Sequence, residues 1–397
     1  MSGAWMLPGP LNRRGPRPLL LHLMLAMLKS GTSLSGLPNS NADWAGWLRT
    51  KTAAPGLDDA KLAQAVLRET SAQDRALIAG IAAYRRHPWA RDLADPPALW
   101  AEGESRLLDY GGAGRPVLFV PSLVNRAHVL DLAEGRSMLR FLAANGVRPL
   151  LLDWGWPGAA ERRFSLTDYV AGRLERALAA VGVPVVLAGY CMGGLLAVAA
   201  AQRRPQHVAG LALLATPWDF HAGDAEAAQR VAAMLPLLEP GMAFSGTLPI
   251  DALQVLFAMM DPWAIADKYR SFARLDPESE RARMFVALED WLNDGVPLAE
   301  AVARTCLSEW YGANAPARGA WRIAGEVVEP ATLRLPGFVA VPGRDRIVPP
   351  ESATPLAALI PGAVLHQPRA GHVGMVAGAT AERELWRPLL GWIGGLR

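Results

Sequence analysis

The segment Gly189-Tyr190-Cys191-Met192-Gly193-Gly194 constrains the fold of this chain more than any other stretch. An apolar run, Val185 to Ala188, precedes it, and Leu195 to Ala201, which reads as a helix, follows it. A G-x-nucleophile-x-G sequence between strand and helix describes a tight bend that holds its central side chain exposed at the top of a sheet. The central residue here is a cysteine. A thiolate is a better nucleophile and a better thioester partner than an alkoxide, so the chemistry to expect is acyl transfer through sulfur. A lone cysteine is ordinarily a small packing residue, but five surrounding motif positions favour the nucleophile. Cys306, in a helical stretch, keeps the packing reading.

The pattern around this bend is an alternation of short apolar strands and longer helices. Val117 to Val120, Leu150 to Leu152, Val185 to Ala188 and Leu211 to Ala215 read as strands. Ser137 to Ala144 and Thr167 to Val181 read as helices between them, the second opened by Ser165 and Asp168 as a capping box. Such alternation predicts a mostly parallel sheet flanked by helices. It stops at Pro217 and resumes with strands at 337–341 and 363–365 and a closing helix over 381–393. The expected organisation is therefore a helical N-terminal region over 1–100 and a first core part over 101–216. A helical cap insertion over 217–316 and a second core part over 317–397 complete it.

Bulk properties exclude several classes. With 397 residues, 51% of them hydrophobic, the chain can bury a large core. Its net charge is only +3, without a basic block, so no nucleic-acid partner is expected. Two cysteines make no disulfide framework, which points to a reducing, cytoplasmic setting. Arg13, Arg14 and Arg17 precede the apolar run Leu19 to Leu28, a pattern reminiscent of an export signal. That run is too short to span a bilayer, Pro16 and Pro18 interrupt the basic region, and no cleavage site follows cleanly. The preferred reading is a short helix packed on the protein or on an apolar surface. Ser30 to Asn41 reads as a linker, and Ala42 to Trp100 as mainly helical.

In a fold of this kind the nucleophile's partners follow it in the order acid, then histidine, each on a loop after a late strand. Asp345, in Gly343-Arg344-Asp345-Arg346, follows the 337–341 strand, and His372, in Ala370-Gly371-His372, follows the 363–365 strand. Imidazole would take the thiol proton while the carboxylate orients the ring and stabilises its charge. His366 lies at a strand end, where its ring would enter packing. The backbone N–H of Met192 is the first expected oxyanion donor, and a second is expected near Leu123 or Val124. Asp131, just beyond that loop, is read either as a structural partner of Arg126 or Arg136, or a helix cap, or as a supporting group near the site. No metal-binding cluster is expected.

These motifs resemble the polyhydroxyalkanoate synthase family of the α/β-hydrolase superfamily. The resemblance rests on Pro121-Ser122-Leu123-Val124-Asn125-Arg126 with Leu130-Asp131-Leu132, on Asp153-Trp154, and on the elbow itself. Thr216-Pro217-Trp218-Asp219-Phe220 and the Asp345 and His372 loops carry the rest. Trp291 and Trp310-Tyr311-Gly312-Ala313-Asn314 resemble the cap of the shorter, two-subunit synthases. The resemblance covers Glu102 to the C-terminus. It implies an α/β-hydrolase fold and polymerisation of 3-hydroxyacyl groups from coenzyme A thioesters. Cys191 would be the acylated residue, His372 its activator, and Asp345 the support of His372 or a helper of the incoming 3-hydroxyl. It implies no metal or redox cofactor, and as partners a second synthase subunit, a homodimer or the surface of a polymer granule. Two rival readings are a cysteine hydrolase of the dienelactone hydrolase or thioesterase type, and a non-catalytic granule-binding protein.

Overall fold

The computed structural model describes residues 13–35 and 59–396, which form two compact units. One comprises the described residues up to Ala90 together with Gln254–Asn293; the other comprises Arg91–Leu253 and residues from Asp294 onward. The span 217–316, expected as one insertion, thus contributes to both.

In the first unit, the apolar N-terminal run forms a helix over Leu19–Ser35, longer than the sequence suggested. The segment read as the start of a linker continues that helix, because Thr32 and Ser33 turn their hydroxyls back onto the Lys29 carbonyl instead of breaking the turn. The remainder of that linker, and residues 42–58, lie outside the described residues. A second helix, Asp59–Arg86, lies within the stretch read as mainly helical. Leu77, Ile81 and Tyr84 from it pack with Tyr269, Phe272 and Val286 in a common core. Tyr84 also donates to Asp290 at 2.8 Å, the carboxylate that Arg13 pairs with. No helix among the described residues is long and apolar enough to cross a membrane.

The second unit is built on an eight-stranded sheet. Its strands are β1 (Ala98–Glu102), β2 (Ser105–Asp109), β3 (Pro116–Val120), β4 (Arg148–Asp153), β5 (Val185–Tyr190), β6 (Val208–Leu214), β7 (Gly337–Ala340) and β8 (Val364–His366). Their order is β1-β2-β4-β3-β5-β6-β7-β8. From β4 to β8 all neighbours are parallel, while β1 and β2 add an antiparallel edge. β1 corrects the expectation of helix up to Trp100. The expected parallel strands all form, and β5 is buried along its whole length, as a strand covered on both faces must be. Helices cross between the parallel strands, among them Met138–Ala144, capped by Ser137, and Met192–Arg203 after β5. The expected helix over 167–181 is a π-helical turn, Asp168–Leu174, running into Glu175–Val181.

The parallel arrangement decides where a site can lie. In an open parallel sheet, ligands bind beyond the carboxyl ends of the strands, where the loops leave it. Here β3 to β8 all point one way, and the loops that follow β3, β5, β7 and β8 carry Leu123 and Val124, Cys191, Asp345 and His372 in turn.

Candidate active site

Cys191 lies between β5 and the helix Met192–Arg203, at that helix's N-cap, with φ of 56° and ψ of −130°. That is an unfavourable conformation for a residue with a side chain, and it is sustained only by what surrounds it. Its N–H extends the sheet ladder to the Leu214 carbonyl at 2.9 Å, and its own carbonyl accepts from Gly194 at 2.9 Å. The two glycines that follow let neighbouring chains close on the bend. A Cβ on Gly193 would collide with the Val120 and Pro121 carbonyls, and one on Gly194 with the Thr216 side chain. The double glycine is therefore a close-packing requirement between the elbow and the loops after β3 and β6.

The sheet ladder also runs on into the neighbouring loops. Ala215 donates to Ala340 at 2.9 Å and Val341 to His366 at 2.8 Å. Beyond the strand ends, Gly343 and Arg344 bond to Pro368 and Ala370, each at 3.0 Å, so the acid loop and the histidine loop are zipped together. This brings Asp345 and His372 into contact. His372 Nδ1 lies 2.7 Å from Asp345 Oδ2, with both side chains almost fully buried. The other carboxylate oxygen, Oδ1, accepts the N–H groups of Ile347 and Val348 at 2.8 and 2.9 Å, which fixes the carboxylate plane. The Cys191 sulfur faces the same ring closely enough to favour its charged form. Tyr190 completes the support, its ring lying 5.0 Å from that of His372 and its hydroxyl donating to the His372 carbonyl at 3.3 Å.

The electrostatics follow from this geometry. Burial disfavours a charged imidazole, but the Cys191 sulfur and the Asp345 carboxylate outweigh it and push His372 up to about 10. A raised value stabilises the folded state fully below the ordinary imidazole range, and that contribution is lost as pH rises through about 10. At neutral pH the ring thus holds its proton next to a sulfur nucleophile, the arrangement that activates a thiol for attack.

Met192 occupies the first position of its helix, where an N–H has no intrahelical acceptor and can serve an incoming oxyanion. Val124, named with it, instead directs its N–H to Ser122 Oγ at 3.3 Å, and its carbonyl accepts from Val296 at 3.1 Å. The Asp153-Trp154 motif acts on the same loop: the Trp154 indole donates to the Pro121 carbonyl at 3.0 Å.

The Asp131 carboxylate is taken up by a set of ion pairs and hydrogen bonds. Its fully buried carboxylate takes Arg140 at 2.8 Å, Arg91 at 3.0 Å and the Tyr110 hydroxyl at 3.1 Å. The arginines suggested by sequence proximity go elsewhere, Arg126 to Asp294 and Arg136 to the Gly378 carbonyl. Burial by itself would raise Asp131, but Arg140, Ser137 and Arg91 outweigh that and hold the carboxyl below its usual range. Asp131→Ala should therefore cost about 3 kcal/mol, the low end for a broken buried pair because both arginines reach water. Urea denaturation measures this, with the loss expected at neutral pH, where the carboxylate is ionised.

The segment after β6 closes the surroundings. Trp218 and Asp219 donate to the Ser352 carbonyl, both at 3.0 Å. Asn314 links Asp219 and Phe220, accepting from the Phe220 N–H at 2.9 Å and donating to Asp219 at 2.8 Å. Of the four non-glycine residues with positive φ among the described residues, three are Cys191, Ala215 and Asn314. Strain of this kind gathers at functional sites. Phe220 packs on Trp310 and Tyr311, at 5.6 and 5.1 Å between ring centres. Both belong to a π-helical turn, Cys306–Gly312. Cys306 is buried there and its thiol is pushed up by burial. Sequence reading noted the Trp310–Asn314 segment but gave Tyr311 no role.

A model of the alpha/beta hydrolase fold matches residues 115–379, well over half of the chain. The chain belongs to the alpha/beta hydrolase fold family. Within it, the chain is similar to the poly(3-hydroxyalkanoate) polymerase subunit PhaC of Haloferax mediterranei, at 29% identity over 83% of this chain and 68% of that protein. It is similar also to the corresponding subunit of Allochromatium vinosum, at 27% identity over 70% of this chain and 80% of that one. The subunit from a Synechocystis strain shares 26% identity over 70% of this chain and 77% of its own length.

Proposed function

We propose that this chain is a poly(3-hydroxyalkanoate) polymerase that carries the acyl group on Cys191. The observation that supports it is a cysteine at the bend after β5, beside an imidazole that a buried carboxylate orients. The similarity to polymerase subunits supplies the substrate class.

In the first half-reaction, the Cys191 sulfur attacks the carbonyl carbon of a 3-hydroxyacyl-coenzyme A. The bond to the coenzyme A sulfur breaks, and that leaving thiolate takes the proton from His372. In the second, the 3-hydroxyl of another acyl unit gives its proton to His372 and attacks the Cys191 thioester. A carbon–oxygen ester bond forms as the carbon–sulfur bond breaks, and the polyester lengthens by one unit. Asp345 stabilises the ring charge at each step, and the Met192 N–H receives the developing oxyanion, with the Leu123 N–H as the second donor. A hydroxyl acceptor must outcompete water, which calls for a water-poor site. No metal or redox cofactor takes part in this scheme. A second subunit or a second copy as partner, and a cytoplasmic setting at the surface of the polymer, belong to the same proposal.

The test is to supply 3-hydroxybutyryl-coenzyme A to the purified protein. Free thiol together with insoluble polyester is expected. Free thiol with an equal amount of 3-hydroxybutyrate and no polymer would make the protein a cysteine hydrolase instead.

A further inference from the structure

The aromatic segment near the sulfur contains one polar group that the reaction scheme leaves without a task. Tyr311 sits in the π-helical turn Cys306–Gly312, a backbone irregularity that re-aims the side chains it carries and recurs at functional sites. Its backbone is held from both sides. The His221 imidazole meets the Tyr311 carbonyl at 2.7 Å, and Asn314 ties the end of the turn to Asp219 and Phe220. Its ring is fixed against Phe220.

The hydroxyl is different. Among the described residues it has no hydrogen-bond partner, yet it is not sealed away like the indole N–H of neighbouring Trp310. Tyr311 is half-buried, whereas Trp310 is buried. A rigid ring thus presents a free phenol to open space beside an otherwise apolar surface. The ring's support adjoins the nucleophile: Phe220 belongs to the Thr216–Phe220 segment, whose Thr216 side chain packs on Gly194 of the bend, and burial keeps the phenol protonated. The group is therefore a permanent neutral donor.

The remaining question is which substrate atom it meets. The thioester oxygen is served by backbone N–H groups, and the departing sulfur by His372. Within the acyl group itself, the one polar atom not yet served is the 3-oxygen. We propose that the Tyr311 hydroxyl donates a hydrogen bond to the 3-oxygen of the acyl group bound at Cys191, and so selects 3-hydroxyacyl over unsubstituted acyl thioesters. This rests on the polymerase reading. A site built to bond a substrate oxygen discriminates strongly against the analogue that lacks it, because its own donor is then left unpaired.

The experiment follows single-turnover acylation of Cys191 by mass spectrometry, with 3-hydroxybutyryl- and butyryl-coenzyme A, in the wild type and in Tyr311→Phe. The wild type should acylate at least about tenfold faster with the hydroxylated substrate, as expected for one hydrogen bond of this kind. Tyr311→Phe should lose that preference, its two rates converging because the hydroxylated substrate slows. Equal slowing with both substrates, or a preference retained by the variant, would overturn the assignment. Equal rates in the wild type would overturn it even if the variant failed to fold. Absence of any acyl group on Cys191 in the wild type would instead overturn the polymerase reading itself, so the two failures are distinguishable.

Discussion

Cys191→Ser should lower coenzyme A release by about 10³-fold or more, equivalent to about 4 kcal/mol of activation free energy. The substitution removes almost nothing from the fold. Serine is nearly isosteric, and the strained φ of 56° is carried by the packing of Gly193 and Gly194 and by the bond to Leu214, none of which involves the sulfur. What changes is the charge that faces His372. The sulfur is among the largest influences raising the ring to about 10. A serine hydroxyl does not ionise in this range, so the ring must extract its proton during attack. The acyl-enzyme also changes from a thioester to an oxygen ester, which the incoming 3-hydroxyl displaces less readily. Coenzyme A release at saturating substrate, beside a thermal melt monitored by circular dichroism, checks both halves. Turnover within tenfold of the wild type would mean that sulfur is not the nucleophile.

The parts of this molecule that sequence reading reached are those with a strict local requirement. The bend demands glycines where backbones touch, and the buried parallel strands demand unbroken apolar runs, so both stand out along the chain. Asp345 and His372 were found by their place after strands, and the structure brings them together through loops bonded at Gly343 and Arg344. The edge hairpin was missed for the opposite reason. β1 is largely exposed, with Ala98-Leu99-Trp100-Ala101-Glu102 giving no alternation, and its alanines resemble a helix. Only Gly103, at φ of 57°, marked the turn into β2. The π-helical turns at 168–174 and 306–312 were equally hidden, since one extra residue per turn leaves a helical apolar pattern nearly intact. Partners distant along the chain are the remaining gap. Asp131 was matched with the arginines nearest in sequence, whereas Arg91 comes from forty residues upstream. Nothing in a single sequence states such a pairing.

Asp345→Asn should cut coenzyme A release by about 10³-fold, somewhat less than the ~10⁴-fold known for a serine triad, because a thiol needs less help from its base. The reason lies in which atom of the ring holds the proton. Asparagine can keep its oxygen as the acceptor for Ile347 and Val348, so the loop retains both bonds. Its amide nitrogen then faces His372 Nδ1, where the carboxylate oxygen lay 2.7 Å away, and it can only donate. Nδ1 is forced to accept, and the proton of a neutral ring moves to Nε2, the position that must receive the proton of the nucleophile. The charged ring also loses a favourable carboxylate while the unfavourable burial stays, so its titration midpoint must fall from about 10. Two measurements separate this from general damage. The His372 ring resonance, followed by NMR across pH, should titrate at lower pH in the variant. Alkylation of Cys191 at neutral pH should slow along with turnover, because a ring that gives up its proton earlier no longer supports a charged sulfur. Asp345→Ala should add a loss of stability, since the half-buried Ile347 N–H and the buried Val348 N–H would both lose their acceptor. An unchanged midpoint and an unchanged alkylation rate in Asp345→Asn would show that the carboxylate has no part in setting the charge of the pair.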